Sequence, residues 1–163
     1  MDAPKPFQWI WKSYTLPTQK FFFWLLLQDR LNTRDLLTRK SFYIETSKCE
    51  LCDDEPNEHL MHLFFSCDFS QNFWMNLGYQ WDTDHNLMDM LLDGRKQDTH
   101  GCFKEFLIVA CWSLWKHRNS IIFDHKVKNM GYCIDMFKKH FNIIIKKAKP
   151  GLKEGMQSWL DTL

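Results

Sequence analysis

The sequence predicts a mainly α fold: a helical domain stapled by a small Cys3His module, with at most one short strand or hairpin. Three observations lead there. Apolar residues recur every three or four positions in several stretches, as they do on helices with one face in a core. Four metal-ligating residue types stand in the pattern C-x2-C-x9-H-x4-C at Cys49, Cys52, His62 and Cys67. Strand-like alternation of apolar and polar side chains occurs only over 42–45.

The elements follow in order. Pro17 is a first-turn proline, and Phe21, Trp24, Leu25 and Gln28 succeed it at helical spacing, which predicts a helix over 17–30. Asn32 or Thr33 can cap a short second helix ending near Lys40. The alternating run 42–45 leads into the Cys49–Cys52 turn. Residues 58–65 read as helical and carry His62, and Asp68 is placed to cap a helix bearing Phe69, Phe73, Trp74 and Leu77, which Gly78 ends. Asp82, Thr83 or Asp84 caps a further short helix that Gly94 stops, and 95–100 is the polar linker. Thr99 then caps a long helix over 102–123, with Phe103, Phe106, Leu107, Ala110, Leu114 and Ile121 on one face. A last amphipathic helix over 132–147 stops before Pro150 and Gly151. The expected division is a zinc-binding domain over 1–94 and a helical C-terminal extension over 99–163 that packs on it, or one continuous domain.

Bulk composition excludes several classes. Aromatic residues make up 16% of the 163, with 14 Phe and 8 Trp, too much apolar mass for a disordered chain. No stretch approaches the ~18 apolar residues of a membrane span. The first residues lack the apolar core and cleavage site of a secretory signal, so the six cysteines are expected reduced or metal-bound in the cytoplasm or nucleus. A mitochondrial destination is the alternative, because Lys5, Lys12 and Lys20 are the only charges between Ala3 and Gln28. Net charge is +1, but it is segregated: residues 49–98 hold 2 Lys+Arg against 11 Asp+Glu, while the two flanks are basic.

The quartet points to Zn²⁺, which takes four soft or borderline ligands in a tetrahedron. Three thiolates and an imidazole leave no open position for water or substrate, so one structural ion is expected and no metal chemistry. Asp82, Asp84, Asp89, Asp93 and Asp98 fall at predicted caps and linkers, where carboxylates serve the backbone. A glycine-rich phosphate loop and a nucleophile elbow are both missing from the sequence. The chain is therefore expected not to be an enzyme. Cys102, Cys111 and Cys133 lie in helical segments as core residues.

These residues resemble the zinc-binding domain that follows the reverse transcriptase in plant LINE-type (non-LTR) retrotransposon polyproteins. The matching pieces are Trp11-Lys12 with Pro17 and Lys20, then Phe23-Trp24-Leu25, then Arg30-Leu31-x-Thr33-Arg34-Asp35-x-Leu37. Cys49-x2-Cys52, Glu58, His62-Leu63-Phe64-x2-Cys67 and Trp74 complete them, so the similarity spans 9–81. Trp112-Ser-Leu-Trp115-Lys-x-Arg118-Asn119 and Phe123 look like the tryptophan-rich segment that often joins this domain to a ribonuclease H. The resemblance implies that Cys49, Cys52, His62 and Cys67 are zinc ligands, and its His-Leu-Phe stretch favours His62 over the neighbouring His59. Polymerase and ribonuclease H equipment is missing from the sequence, so a short stand-alone protein is expected.

Two functions compete. The first is a protein-interaction module derived from a retrotransposon, docking through Trp9, Trp11, Trp81 and Trp159 to an unidentified protein as a regulator or as a selfish or toxic factor. The second is a nucleic-acid binder using Lys138, Lys139, Lys146, Lys147 and Lys149 with Arg30, Arg34 and Arg39 as phosphate contacts. No small-molecule substrate is implied.

Overall fold

The computed structural model describes residues 7–52 and 57–163. Lys5 of the N-terminal cation run and three members of the acidic segment, Asp53, Asp54 and Glu55, lie outside the described residues. The described chain is helical: α1 (Gln8–Trp11), α2 (Pro17–Leu27), α3 (Arg34–Arg39), a π-helical turn (His62–Ser66), α4 (Asp68–Asn76), α5 (Leu87–Arg95), α6 (Phe103–Asp124), α7 (Met130–Lys147) and α8 (Pro150–Leu160). Among the described residues no helix is long and apolar enough to cross a membrane.

Local chemistry accounts for most boundaries. Pro17 opens α2 while the Gln19 side chain accepts the Leu16 N–H at 3.0 Å, filling one of the orphan donors of a helix start. Of the two candidates, Thr33 caps α3, its hydroxyl accepting from the Leu36 N–H. Gly78, at φ +82°, follows α4 as expected: its N–H reaches Met75 O while the Tyr79 N–H reaches Trp74 O, so two carbonyls at the helix end are satisfied.

Several expectations are corrected. The run 42–45 forms no strand, and the pairing among the described residues is an isolated bridge between Lys48 and Asn57. Cys67, not Asp68, precedes α4 as its N-cap, and Asn86, not Asp82, Thr83 or Asp84, caps α5. Gly94 lies inside α5, and a Cβ there would meet the Trp81 ring at 2.1 Å, so it is a packing glycine and not a stop. Asp98 takes the role assigned to Thr99, with its carboxylate accepting from the N–H groups of His100, Gly101 and Phe103 ahead of α6. Two helices lie outside the expected elements. α8 begins at Pro150, which is the first-turn proline of a new helix and not a terminator, and α1 is only one turn long.

α6 is the centre of the molecule. Leu107, Ile108, Val109, Ala110, Cys111 and Leu114 have no exposure, so the helix is buried on more than the one predicted face, as befits an element packed by α2, α7 and the π turn. One core of buried side chains runs from Ile10 to Trp159 and crosses the 95–100 turn. Edge-to-face aromatic pairs knit it, with Phe22 against Trp112 at 5.3 Å and Phe106 against Trp159 at 4.7 Å. The three remaining cysteines sit in this core as expected, and burial pushes the Cys102 thiol up to about 12, which makes it inert.

A buried ion pair locks the middle of the chain to α6. Glu58 has no exposure and Arg118 is 3% exposed; Arg118 Nε donates to Glu58 Oε2 at 2.9 Å, and a second guanidinium nitrogen donates to Oε1. The same Oε1 accepts the Arg34 N–H at 2.9 Å at the start of α3, and the guanidinium lies 4.8 Å over the Trp115 ring. Three segments distant in sequence therefore share one carboxylate.

Removing one member of such a pair leaves the other buried and uncompensated. Arg118→Ala is expected to lower unfolding free energy by about 3–5 kcal/mol, and the Glu58→Leu/Arg118→Met double variant by clearly less, both read from urea midpoints. A second outcome concerns pH. His117 Nε2 accepts the Asn129 N–H at 3.0 Å, and burial holds its pKa below the ordinary value, so the fold requires the neutral ring. A depressed folded-state pKa means that this stability is present above the unfolded value of about 6.5 and is lost as pH falls through the folded one. His117→Gln, which keeps an acceptor without titrating, is expected to flatten the decline of melting temperature over that range.

Candidate metal centre

Two tight segments bring the quartet together. The Lys48–Asn57 bridge and the Glu58 N–H bonded to Ser47 O at 2.8 Å close the base of the loop that presents Cys49 and Cys52, while Leu51 between them is anchored in the core. On the other side, the π-helical turn holds His62 and Cys67. Residues five apart on an α-helix point about 140° away from each other, at 3.6 residues per turn. The wider turn, closed by the Cys67 N–H on His62 O at 2.8 Å, brings both to one side. The expected helical segment carrying His62 is thus π-helical because its ligand spacing requires the extra residue.

The geometry suits zinc. All four ligand atoms lie within 4.8 Å of one another, with Cys49 Sγ 4.0 Å from Cys67 Sγ and Cys52 Sγ 3.3 Å from His62 Nε2. Tetrahedral Zn–S bonds of ~2.3 Å put sulfurs about 3.8 Å apart, so these separations enclose a space of the right size. Cys49 and Cys67 are buried, and Cys52 and His62 are partly exposed, which leaves the ion an entry side. His59 is turned elsewhere: its Nδ1 accepts the His62 N–H at 3.3 Å.

The electrostatics favour a thiolate at Cys67. A hydrogen bond donated by the Cys49 thiol lowers its pKa, and the backbone N–H groups of Ser70 and Phe69 at the start of α4 act in the same direction against the effect of burial. Cys49, as the donor, is raised. Such a site accepts a cation as the proton leaves.

Other sequence candidates are placed as follows. Trp11 is 45% exposed, and Trp9 is half-buried with its ring 5.8 Å from Phe23. Trp81 is half-buried among Phe65, Trp74, Tyr79 and Phe103. Trp159 is not an exposed anchor: it is 8% exposed, inserted edge-on among Phe106, Phe137 and Phe141, because α8 folds back over α7. Arg34 is bound to Glu50 and to Lys48 O, and Arg39 to Asp29 and Asp35, so two of the three arginines are neutralised within the chain, and Arg30 is exposed. Lys138 donates to Leu163 O, whereas Lys139, Lys146, Lys147 and Lys149 are exposed. Asp82 pairs with His85, Asp89 with Asn86 and Asp93 with Lys96, so these acids serve surface pairs and caps as expected. Sequence reasoning missed the Glu58–Arg118 pair, although both residues belonged to the resembling motifs; a charge in an otherwise apolar helical face was the available signal.

A helical frame around a closed Cys3His quartet defines the class, a zinc-binding module in which the protein supplies every ligand. Residues 2–74 match the family described as zinc-binding in reverse transcriptase. That family is an accessory domain and not a catalytic one. No curated protein and no solved structure matches the chain significantly.

The quartet shares its segment with core residues: Phe64 stacks 6.2 Å from Trp115 and Phe65 5.8 Å from Trp74. Cys52→Ser, at a half-exposed ligand, is therefore expected to reduce bound zinc below stoichiometry and to lower the melting temperature by about 10 °C. Cys111→Ala, a core thiol, should destabilise without changing zinc content, as measured by metal analysis of the purified proteins.

Proposed function

We propose that the chain is a non-catalytic interaction module, derived from a plant retrotransposon and held together by one structural Zn²⁺ at Cys49, Cys52, His62 and Cys67, that acts by docking to another protein. A closed tetrahedron supports the non-catalytic reading, since no coordination position is left for water or substrate. The docking reading rests on one observation, an aromatic patch at the junction of α1 and α2. Trp11 is 45% and Phe21 54% exposed, and Lys20, which precedes Phe21 in α2, donates from Nζ to Trp11 O at 3.2 Å. Phe21 is backed by the stacked Trp24 ring at 5.9 Å, which holds it outward as a rigid anchor. The basic Lys12 and Lys20 beside these rings suit a partner with acidic residues around an apolar centre.

Nucleic-acid binding is the second reading, favoured by a different surface. Lys139, Lys146 and Lys147 of α7 and Lys149 at the start of α8 are exposed without an ion-pair partner among the described residues.

Capture from plant cells separates the two. A protein retained at high salt by the wild type and lost with Trp11→Ala/Phe21→Ala is the expected result. Retention of RNA or DNA that weakens steeply with salt, and that disappears when these four lysines become Gln, would replace docking by the nucleic-acid reading.

A further inference from the structure

Three helices meet at a narrow slot that includes none of the metal quartet. Met88, Leu91, Leu92 and Arg95 line it from α5, Phe103 and Lys104 from the first turn of α6, and Trp9 from α1. The spacing i, i+3, i+4, i+7 puts the four α5 residues on one stripe of that helix. Leu91 and Phe103 are buried, whereas Leu92 is 57% exposed. A volume of about 30 Å³ admits the end of one apolar side chain.

The charges at the slot are of one sign. Arg95 and Lys104 line it with side chains that have no ion-pair or hydrogen-bond partner among the described residues, and no carboxylate is among the lining residues. The neighbouring acids of α5 lie on a different stripe and are engaged, Asp89 with Asn86 and Asp93 with Lys96. Lys104 also stands in the first turn of a 22-residue helix, where the positive end of the macrodipole disfavours a cation. An anion arriving there relieves both. Lys12, three residues after Trp9, adds a further exposed cation on the α1 side.

We infer that this slot docks an acidic amphipathic segment of a partner protein, with one apolar side chain entering between α1, α5 and α6 and carboxylates of the same segment meeting Arg95 and Lys104. An apolar slot alone would take any hydrophobic side chain, and two cations alone would be ordinary solvated surface. Their combination selects. A basic segment would set like charges together, and a phosphate backbone would meet the cations but leave the apolar slot unfilled. Leu92 supplies exposed apolar area for the partner to cover. The slot is a different surface from the patch at Trp11 and Phe21, and the inference stands without that patch.

The probe is a synthetic amphipathic peptide with leucines on one helical face and glutamates flanking them. It is titrated into the isotope-labelled, zinc-loaded full chain and followed at the indole N–H signals of Trp9 and Trp11. Saturable shifts at Trp9 that weaken with salt are the expected result. The same peptide with glutamine in place of glutamate should bind about tenfold more weakly. Arg95→Glu/Lys104→Glu, at two unpaired side chains, should lose the glutamate peptide by a similar factor and gain a version carrying lysines. Leu92→Ser should weaken the glutamate peptide as well, which a purely electrostatic contact would not show. Absence of saturable binding, equal binding of the glutamine peptide, retention by the charge-reversed variant or indifference to Leu92→Ser would each overturn the inference, with zinc content and circular dichroism as controls for folding. Shifts confined to Trp11 would overturn it too, by assigning the peptide to the other patch. Occupation by decanoate and not by the peptide would also overturn it and assign the slot to a small amphiphilic carboxylate.

Discussion

The Glu58 carboxylate is the point on which the arrangement turns. It follows the Lys48–Asn57 bridge, precedes the π-helical turn, receives the backbone of α3 and is held by Arg118 in α6. A carboxylate without exposure is tolerated only when its lone pairs are used, and here a guanidinium and a backbone N–H use them. Exchange of both residues for apolar ones can be nearly neutral in energy, so the pair contributes mostly register. It fixes which part of the metal loop faces which turn of the central helix.

From that fixed register the metal centre and the core become one unit. The π-helical turn carries two quartet residues on one side and Leu63, Phe64 and Phe65 into the core on the other. Any change in ligand spacing therefore displaces aromatic side chains packed against Trp74 and Trp115. The C-terminal helices belong to the same packing, because Trp159 of α8 closes over Phe106 and Phe137.

Even with so many aromatic rings buried in one core, large apolar side chains remain exposed along the chain. Trp11 and Phe21 have Lys12 and Lys20 beside them in the sequence, and Leu92 shares its slot with Arg95 and Lys104. Electrostatic surroundings, more than area, decide the kind of partner each can take.

The sequence by itself determined the helical class, the quartet and its likeness to a reverse-transcriptase zinc domain. These are local or patterned properties: ligand spacing survives in linear order, helical periodicity repeats every few residues, and Pro17, Thr33 and Gly78 act on their own neighbours. Only the tertiary structure decided what depends on residues far apart. Gly94 reads as a helix stop until Trp81 is found against it, Pro150 reads as an end until α8 has a core to dock on, and Trp159 reads as exposed until α8 folds back. Arg34 looks free for phosphate until the Glu50 carboxylate arrives, and Arg39 until Asp29 joins its helical neighbour Asp35. The Glu58–Arg118 pair joins residues 60 positions apart, and no local pattern encodes a contact whose stability comes from exclusion of water by the whole core.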